Sequence, residues 1–328
     1  MSEKPPIIYK MALSMMPKVG PILAKRLISY TGSAEAVFKE SRKNLLKIPN
    51  LGDHIVKNVQ SADLFNKAEK ELEFIEKYKI TALFYTDSQY PNRLKNCEDA
   101  PVLLYSKGNV NYNAVKVLSI VGTRNATENG LENCEKLVRD LSSNDKNIII
   151  VSGLAYGIDV CAHKAALASG LTTIAVMGHG LSMVYPAMHR VIAEKITSNG
   201  ALLTEFDSTS KAMAPNFVSR NRIIAGLADA TVVVESARQG GALITADIAN
   251  SYNRDVFAFP GRTTDTYSRG CNQLIKSNKA ALIESTTDLE YVLGWEVNKA
   301  KKKIIQRKLF NELSDEERQI MNILDGRD

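Results

Sequence analysis

The chain has 328 residues, 45% hydrophobic and 24% charged, with 42 Lys+Arg against 36 Asp+Glu for a net charge of +6, the profile of an ordinary soluble protein with room for a large core and small appendages. No apolar run is long enough to span a bilayer, and Met1-Ser2-Glu3-Lys4-Pro5-Pro6 lacks the charge-then-apolar order of a secretory signal, so a cytoplasmic protein without membrane insertion is expected. Cys97, Cys134, Cys161 and Cys271 include no C-x-x-C pair, which argues against a zinc site or a disulfide framework; the charge suits a polyanionic partner without proving one.

Up to residue 70 the pattern predicts short helices. Pro17-Lys18-Val19-Gly20-Pro21-Ile22-Leu23-Ala24 is echoed by Pro49-Asn50-Leu51-Gly52-Asp53-His54-Ile55-Val56, each an apolar-Gly turn leading into a periodic helix. The repeat resembles tandem helix-hairpin-helix units in a small all-helical, SAM-like domain, residues 1–70. Its turns either offer N–H groups to a phosphate or serve as tight corners of a packed cap, and the residues support both. Lys18 and Lys25 are the nearest cations.

After a charged helix at Lys67 to Lys77, strand-like runs alternate with helical stretches: Val117 to Val121, Ile148 to Val151, Thr173 to Val176, Ala201 to Leu203, Thr231 to Val234, Val256 to Phe259 and Ala281 to Ile283. Continuous apolar character means burial on both faces, as parallel strands between helices require. Residues 71–296 are therefore expected to form a doubly wound, Rossmann-like α/β domain, with ligands beyond the carboxyl ends of its strands. Residues 297–328 hold a basic linker, Lys299 to Lys303, and one helix from Leu313 to Met321 with a Ser314/Glu317 capping box. That helix reads as the start of a truncated third domain or as an appendage to the body.

Glycine loops follow the strands. Gly122-Thr123-Arg124 opens a helix and puts Arg124 at its N-terminus, where anions are favoured. Gly153 and Gly157 lie in Ser152-Gly153-Leu154-Ala155-Tyr156-Gly157-Ile158-Asp159, Gly178 and Gly180 flank His179, and Gly240-Gly241 precede Ala242. Arg220, Asn221 and Arg222 stand at the mouth of a long apolar run, and with Arg124 they describe an anion-binding crevice. Arg124 and Arg222 are expected at loop or helix starts. No G-x-G-x-x-G and no G-x-x-x-x-G-K-[ST] is present, which argues against a dinucleotide cofactor and against ATP hydrolysis. Asp159 and His163, one turn apart, suit a metal, yet no third ligand accompanies them and helix capping or core packing is favoured. Glu205 and Glu235 end strands; they suit a catalytic pair less well than partnership with backbone amides or arginines. No catalytic residue, metal or cofactor is expected.

The ordered set Gly-Thr-Arg, Ser-Gly-Leu-Ala-x-Gly-Ile-Asp-x-x-Ala-His, Met-Gly-x-Gly with Tyr-Pro, Arg-Asn-Arg-Ile-Ile-Ala-Gly-Leu, Gly-Gly-Ala-Leu-Ile-Thr-Ala and Val-Phe-Ala-Phe-Pro-Gly resembles the DNA-processing protein A family (DprA, also called Smf) over residues 80 to 296. The resemblance implies an extended Rossmann domain that dimerises, binds single-stranded DNA and loads the RecA recombinase during natural transformation, without catalysis. It carries the family's basic pocket onto Arg124, Arg220 and Arg222, and its glycine loops onto Gly153, Gly157, Gly178 and Gly180. Thr123, Val218, His189 and Gly240-Gly241-Ala242 depart from the family pattern without removing a cation. Tyr156 and Tyr185 suit base stacking or packing at the loop base. The competing class is a nucleoside-monophosphate phosphoribohydrolase of related Rossmann type, whose P-G-G-x-G-T-x-x-E loses its third glycine, threonine and glutamate in Gly240 to Asp247.

Overall fold

The computed structural model describes residues 4–49, 51–59, 61–295, 314–324 and 326. The chain opens with helices α1 (Pro6–Ser14), α2 (Pro21–Thr31), α3 (Ala34–Lys39), α4 (Arg42–Leu45), α5 (Asp53–Val59) and α6 (Ala62–Lys77). Gly20 caps α2 and Pro21 occupies its first turn, where a missing N–H costs nothing; Gly32 closes it at φ +94°. Gly52 lies just ahead of α5, so both predicted glycine turns lead into helices. Lys25 does not face the first turn: its ammonium donates to the carbonyls of Cys97 and Glu98 at 3.3 and 2.9 Å.

The sheet follows, with β1 (Thr81–Phe84), α7 (Asn92–Lys95), β2 (Leu103–Gly108), β3 (Val117–Val121), α8 (Glu128–Asn144), β4 (Ile149–Ser152), α9 (Ile158–Ala168), β5 (Thr172–Val176), α10 (Arg190–Ser198) and β6 (Gly200–Thr204). Then come α11 (Ala214–Leu227), β7 (Ala230–Val233), α12 (Gly241–Ser251), β8 (Asp255–Ala258), α13 (Arg269–Lys276), β9 (Ala281–Leu282) and α14 (Thr286–Leu293). Strand order is β1-β2-β6-β5-β4-β3-β7-β8-β9, parallel from β6 to β9. Every residue of β3 and β6 is buried, as the continuous apolar runs require. Along β3, Leu118 and Ile120 pack with α8 and α9, while Val117 and Val121 pack with α11 and α12, so alternate side chains fill the two layers.

From β3 the chain winds through β4 and β5 to β6 on one side, then returns to lay β7, β8 and β9 on the other. The order reverses between β3 and β7, and crevices in open α/β sheets form at such a reversal. β1 and β2 are an antiparallel addition that the apolar runs did not announce. Phe84, Leu103 and Tyr105 of this pair join one apolar core with Ile8, Leu13, Leu27 and Val56 of the helices. α6 runs across residue 70, and its buried Glu71 accepts from the Ser208 amide at 3.0 Å and the Ser208 hydroxyl at 2.6 Å, beyond β6.

The basic run Lys299 to Lys303 and Leu313 lie outside the described residues. The last helix, α15 (Asp315–Leu324), has the expected capping box: Ser314 N–H donates to Glu317 at 2.8 Å, and Glu317 N–H to the Ser314 hydroxyl at 3.3 Å. None of its residues is buried. Among the described residues, no helix is long and apolar enough to cross a membrane.

Candidate functional site

A crevice of about 650 Å³ opens where β3 and β7 part, within the range of small-ligand sites. The loops after β3, β4, β7 and β8 are laced together around it. Thr123 N–H donates to the Glu235 carbonyl at 2.7 Å, and Ile158 N–H to the Thr123 carbonyl at 3.2 Å. Thr127 caps α8, and the Glu235 carboxylate accepts from the Thr127 amide at 2.9 Å and its hydroxyl at 2.6 Å. Ser236 N–H donates to the Tyr267 carbonyl, and Gly270 N–H to the Ser236 carbonyl. α12 starts at the crevice wall with Gly241 and has no side-chain cap, so the positive end of its dipole lies at the crevice.

The arginines divide into three roles. Arg124 is exposed at the crevice, its guanidinium carbon 6.0 Å from the centroid of the Phe217 ring. Arg220 is buried at the floor, where Nη1 donates to the carbonyls of Gly153 and Val176 at the ends of β4 and β5. Burial pulls its pKa down to about 10, against the pull of Asp159, and Arg124 adds to the lowering. It stays charged at neutral pH and braces two strand ends. Arg222 departs from expectation: it sits well inside α11 rather than at a helix start, and it does not line the crevice. It donates to Glu205 and lies 3.9 Å from Asp99. Residues two apart on an α-helix point about 200° from each other, so the two arginines of the motif cannot face one cleft. Asn221, between them, does line it.

The glycines divide similarly. Gly122, Gly240 and Gly241 line the crevice, whereas Gly153, Gly157, Gly178 and Gly180 do not. A methyl group on Gly153 would strike the Arg220 guanidinium, and one on Gly178 would meet the Phe217 ring at 2.7 Å. Gly180 lies against the Asp207 carbonyl and Gly122 against Ile158. Gly157 is at φ +72° with its Cα against the Thr123 carbonyl. Most of these glycines therefore let loops and the buried arginine close up. Gly241 alone among these seven has open space where a Cβ would be.

Phe217 is a site residue the sequence argument passed over. It lies three residues before Arg220, on the same helical face, and that spacing was a usable signal. Tyr185 lines the crevice at 47% exposure with its ring 5.6 Å from Phe217, while Tyr156 packs edge-on against His189 and lies outside the lining.

Of the candidate metal and catalytic groups, His163, Glu205 and Glu235 have firm structural partners. His163 is buried: the Thr173 hydroxyl donates to the Ile150 carbonyl at 2.9 Å, so His163 Nδ1–H is the donor to Thr173 Oγ1 at 2.7 Å. Burial lowers its pKa to about 3. Asp159 is buried in the first turn of α9, and no metal-binding cluster occurs among the described residues. Glu235 holds the Thr127 amide and Glu205 holds Arg222, the partnership expected of them. Asp247, at the position of the hydrolase glutamate, is exposed and pairs with Lys279 at 2.8 Å, away from the crevice lining. Of the departures from the family pattern, Thr123 accepts from Asn125 N–H at 3.2 Å, and His189 is buried with Nδ1 2.9 Å from the Leu154 carbonyl.

A sequence model of the DNA recombination-mediator protein A family matches residues 81–293, most of the α/β domain. The chain belongs to that family. The DNA processing protein DprA of Streptococcus pneumoniae is 33% identical over 264 residues, 76% of this chain and 92% of that protein. Protein Smf of Synechocystis is 35% identical over 295 residues, 87% of this chain and 72% of that one. The family fold is shared as well. The X-ray structure of DprA from Streptococcus pneumoniae has a TM-score of 0.69 at 32% identity, covering 89% of this chain and 98% of that one. A structure describing the single-stranded DNA binding mode of DNA processing protein A from Helicobacter pylori has a TM-score of 0.60 at 25% identity, covering 66% and 97%.

Proposed function

We propose that this member of the recombination-mediator family binds single-stranded DNA in the crevice between β3 and β7. Acting as a cytoplasmic homodimer through its α/β domain, it loads a RecA-type recombinase onto strands entering during natural transformation. It is not an enzyme in this scheme and needs no cofactor. The observation that carries the reading is the Arg124–Phe217 pair, which lines the crevice together with the start of α12. A cation and a helix N-terminus suit a phosphate, while Phe217 and Tyr185 offer rings for an unpaired base, a contact worth about 1–3 kcal/mol per base and tolerant of sequence. A paired base has no free face to offer. The single-stranded DNA binding mode described for the Helicobacter pylori relative supports the same ligand class.

Fluorescence anisotropy with single- and double-stranded oligonucleotides over a salt series tests this. Single strands should bind preferentially, with a log–log salt slope of about −0.7 per phosphate neutralised. Arg124→Ala should weaken binding about tenfold or more, as loss of a charged hydrogen bond of roughly 1.5–3 kcal/mol requires. Preference for duplex, or salt-independent affinity, would sink the reading. Light scattering tests the dimer, recombinase nucleation on strands coated with single-strand-binding protein tests the loading, and a nucleotide-release assay separates the hydrolase class.

A further inference from the structure

The crevice contains a single acid among its lining residues, and that acid is short of partners. Asp159 is 7% exposed. Its carboxylate receives one long N–H bond, from Ala155 at 3.4 Å, has the Ser152 hydroxyl beside it, and makes no ion pair within 4 Å among the described residues. Burial raises its pKa, and the neighbouring Arg220, turned to the carbonyls of Gly153 and Val176 instead, opposes that rise through space. A carboxylate has room for about four hydrogen bonds, and a buried one left short of donors is costly. With Arg220 already bonded to two carbonyls, that carboxylate is the floor group left to accept from a ligand's N–H donors.

If the ligand is a single strand, as proposed above, its phosphates belong at the mouth with Arg124 and the start of α12, and a base edge reaches the floor. Unpaired bases present free Watson–Crick edges. Guanine offers two parallel donors, N1–H and the N2 amino group, which match the two oxygens of a carboxylate. Cytosine and adenine each offer an amino group beside an acceptor nitrogen, and thymine offers one N–H between two carbonyls that repel the acid. We propose that Asp159 is a base-reading residue, and that the crevice floor is a guanine-selective subsite in an otherwise sequence-tolerant interface. This rests on the single-strand reading of the crevice.

The experiment compares short dT strands with strands carrying deoxyguanosine, deoxyinosine, deoxycytidine or deoxyadenosine at regular intervals, all by anisotropy with the full chain. Deoxyguanosine strands should bind about tenfold tighter than dT, the discrimination expected of one bidentate side chain–base pair. Deoxyinosine, which lacks the N2 amino group, should lose most of that gain without any change to the protein. In Asp159→Asn the guanine-to-thymine affinity ratio should fall to about one, whatever happens to affinity overall. Equal affinities for all bases with strand binding intact, or a guanine preference that survives Asp159→Asn or inosine substitution, overturns the base-reading role. Failure of every strand to bind would instead overturn the function proposed for the crevice.

Discussion

Arg222 and Glu205 form an ion pair on the face of α11 turned away from the crevice, with side chains only 12% and 15% exposed. Burial raises the Glu205 pKa and Arg222 opposes that rise. Removing one partner of a buried pair leaves an uncompensated charge, at a cost of about 3–5 kcal/mol. Arg222→Ala should therefore lower the urea midpoint markedly and bring Glu205 protonation closer to neutral pH. DNA affinity of the fraction that remains folded should fall far less than in Arg124→Ala. A stable Arg222→Ala protein that has lost DNA binding would place this arginine in the interface after all.

Gly157 and Gly241 should respond oppositely to alanine. At Gly157 a side chain meets both a positive φ and the Thr123 carbonyl. The backbone strain alone costs roughly 1–3 kcal/mol, and the collision adds to it. At Gly241 a methyl group enters open space at the first turn of α12, where alanine is the better helix former. Thermal melting should show Gly157→Ala clearly destabilised and Gly241→Ala unchanged or slightly firmer. Anisotropy should show weaker strand binding in Gly241→Ala, because the added methyl group stands where the ligand approaches the helix N-terminus.

His163 makes the fold sensitive to acid. Its pKa falls from an ordinary 6.5 to about 3 on burial, so the native state keeps it neutral while the unfolded chain takes up a proton below pH 6.5. The associated stability is complete above pH 6.5 and is lost as pH falls toward 3, at about 1.4 kcal/mol per pH unit. Urea titrations between about pH 7 and about pH 5 should show this slope, and His163→Gln should flatten it even if the variant starts lower. An unchanged slope in the variant would assign the acid sensitivity to other groups.

α15 buries none of its residues, and every crevice residue precedes Trp295, which packs against the core under α8 and α9. A chain ending after Trp295 should keep its melting temperature, its oligomeric state by light scattering and its single-strand affinity. Loss of affinity in a folded truncation would assign part of the binding to Lys299 to Lys303.

How far the sequence discloses all this depends on which residues hold the information. Parallel strands between two helical layers must be apolar throughout, so Val117 to Val121 and Thr231 to Val234 were legible as strands. Thr81–Phe84 is a four-residue, half-exposed edge strand and gives no such run. In the site, Arg124 was legible because a glycine turn and a helix start are local features. Arg220 and Arg222 look equivalent as letters, and only the helical phase separates a floor brace from an ion pair on the opposite face. Glycine spacing announced close approach, but what approaches Gly153 is a guanidinium from α11, a contact 67 residues away that no local pattern contains. Asp159 was visible as an acid beside a histidine; its lack of partners is a property of burial alone.

The apolar core shared by the first helices and the β1–β2 pair bears on where the chain can be divided. Phe84, Val102, Leu103 and Tyr105 lie in that core and would be bared to water by losing α1 to α6. Ser208 would lose the Glu71 carboxylate that anchors the loop between β6 and α11, the loop that leads to Ala214 and Phe217 at the crevice. The helical segment is therefore no bead on a string. A protein shortened to begin near residue 70 would cut α6 in two and present an adhesive sheet face, so its failing would be insolubility before any loss of recognition.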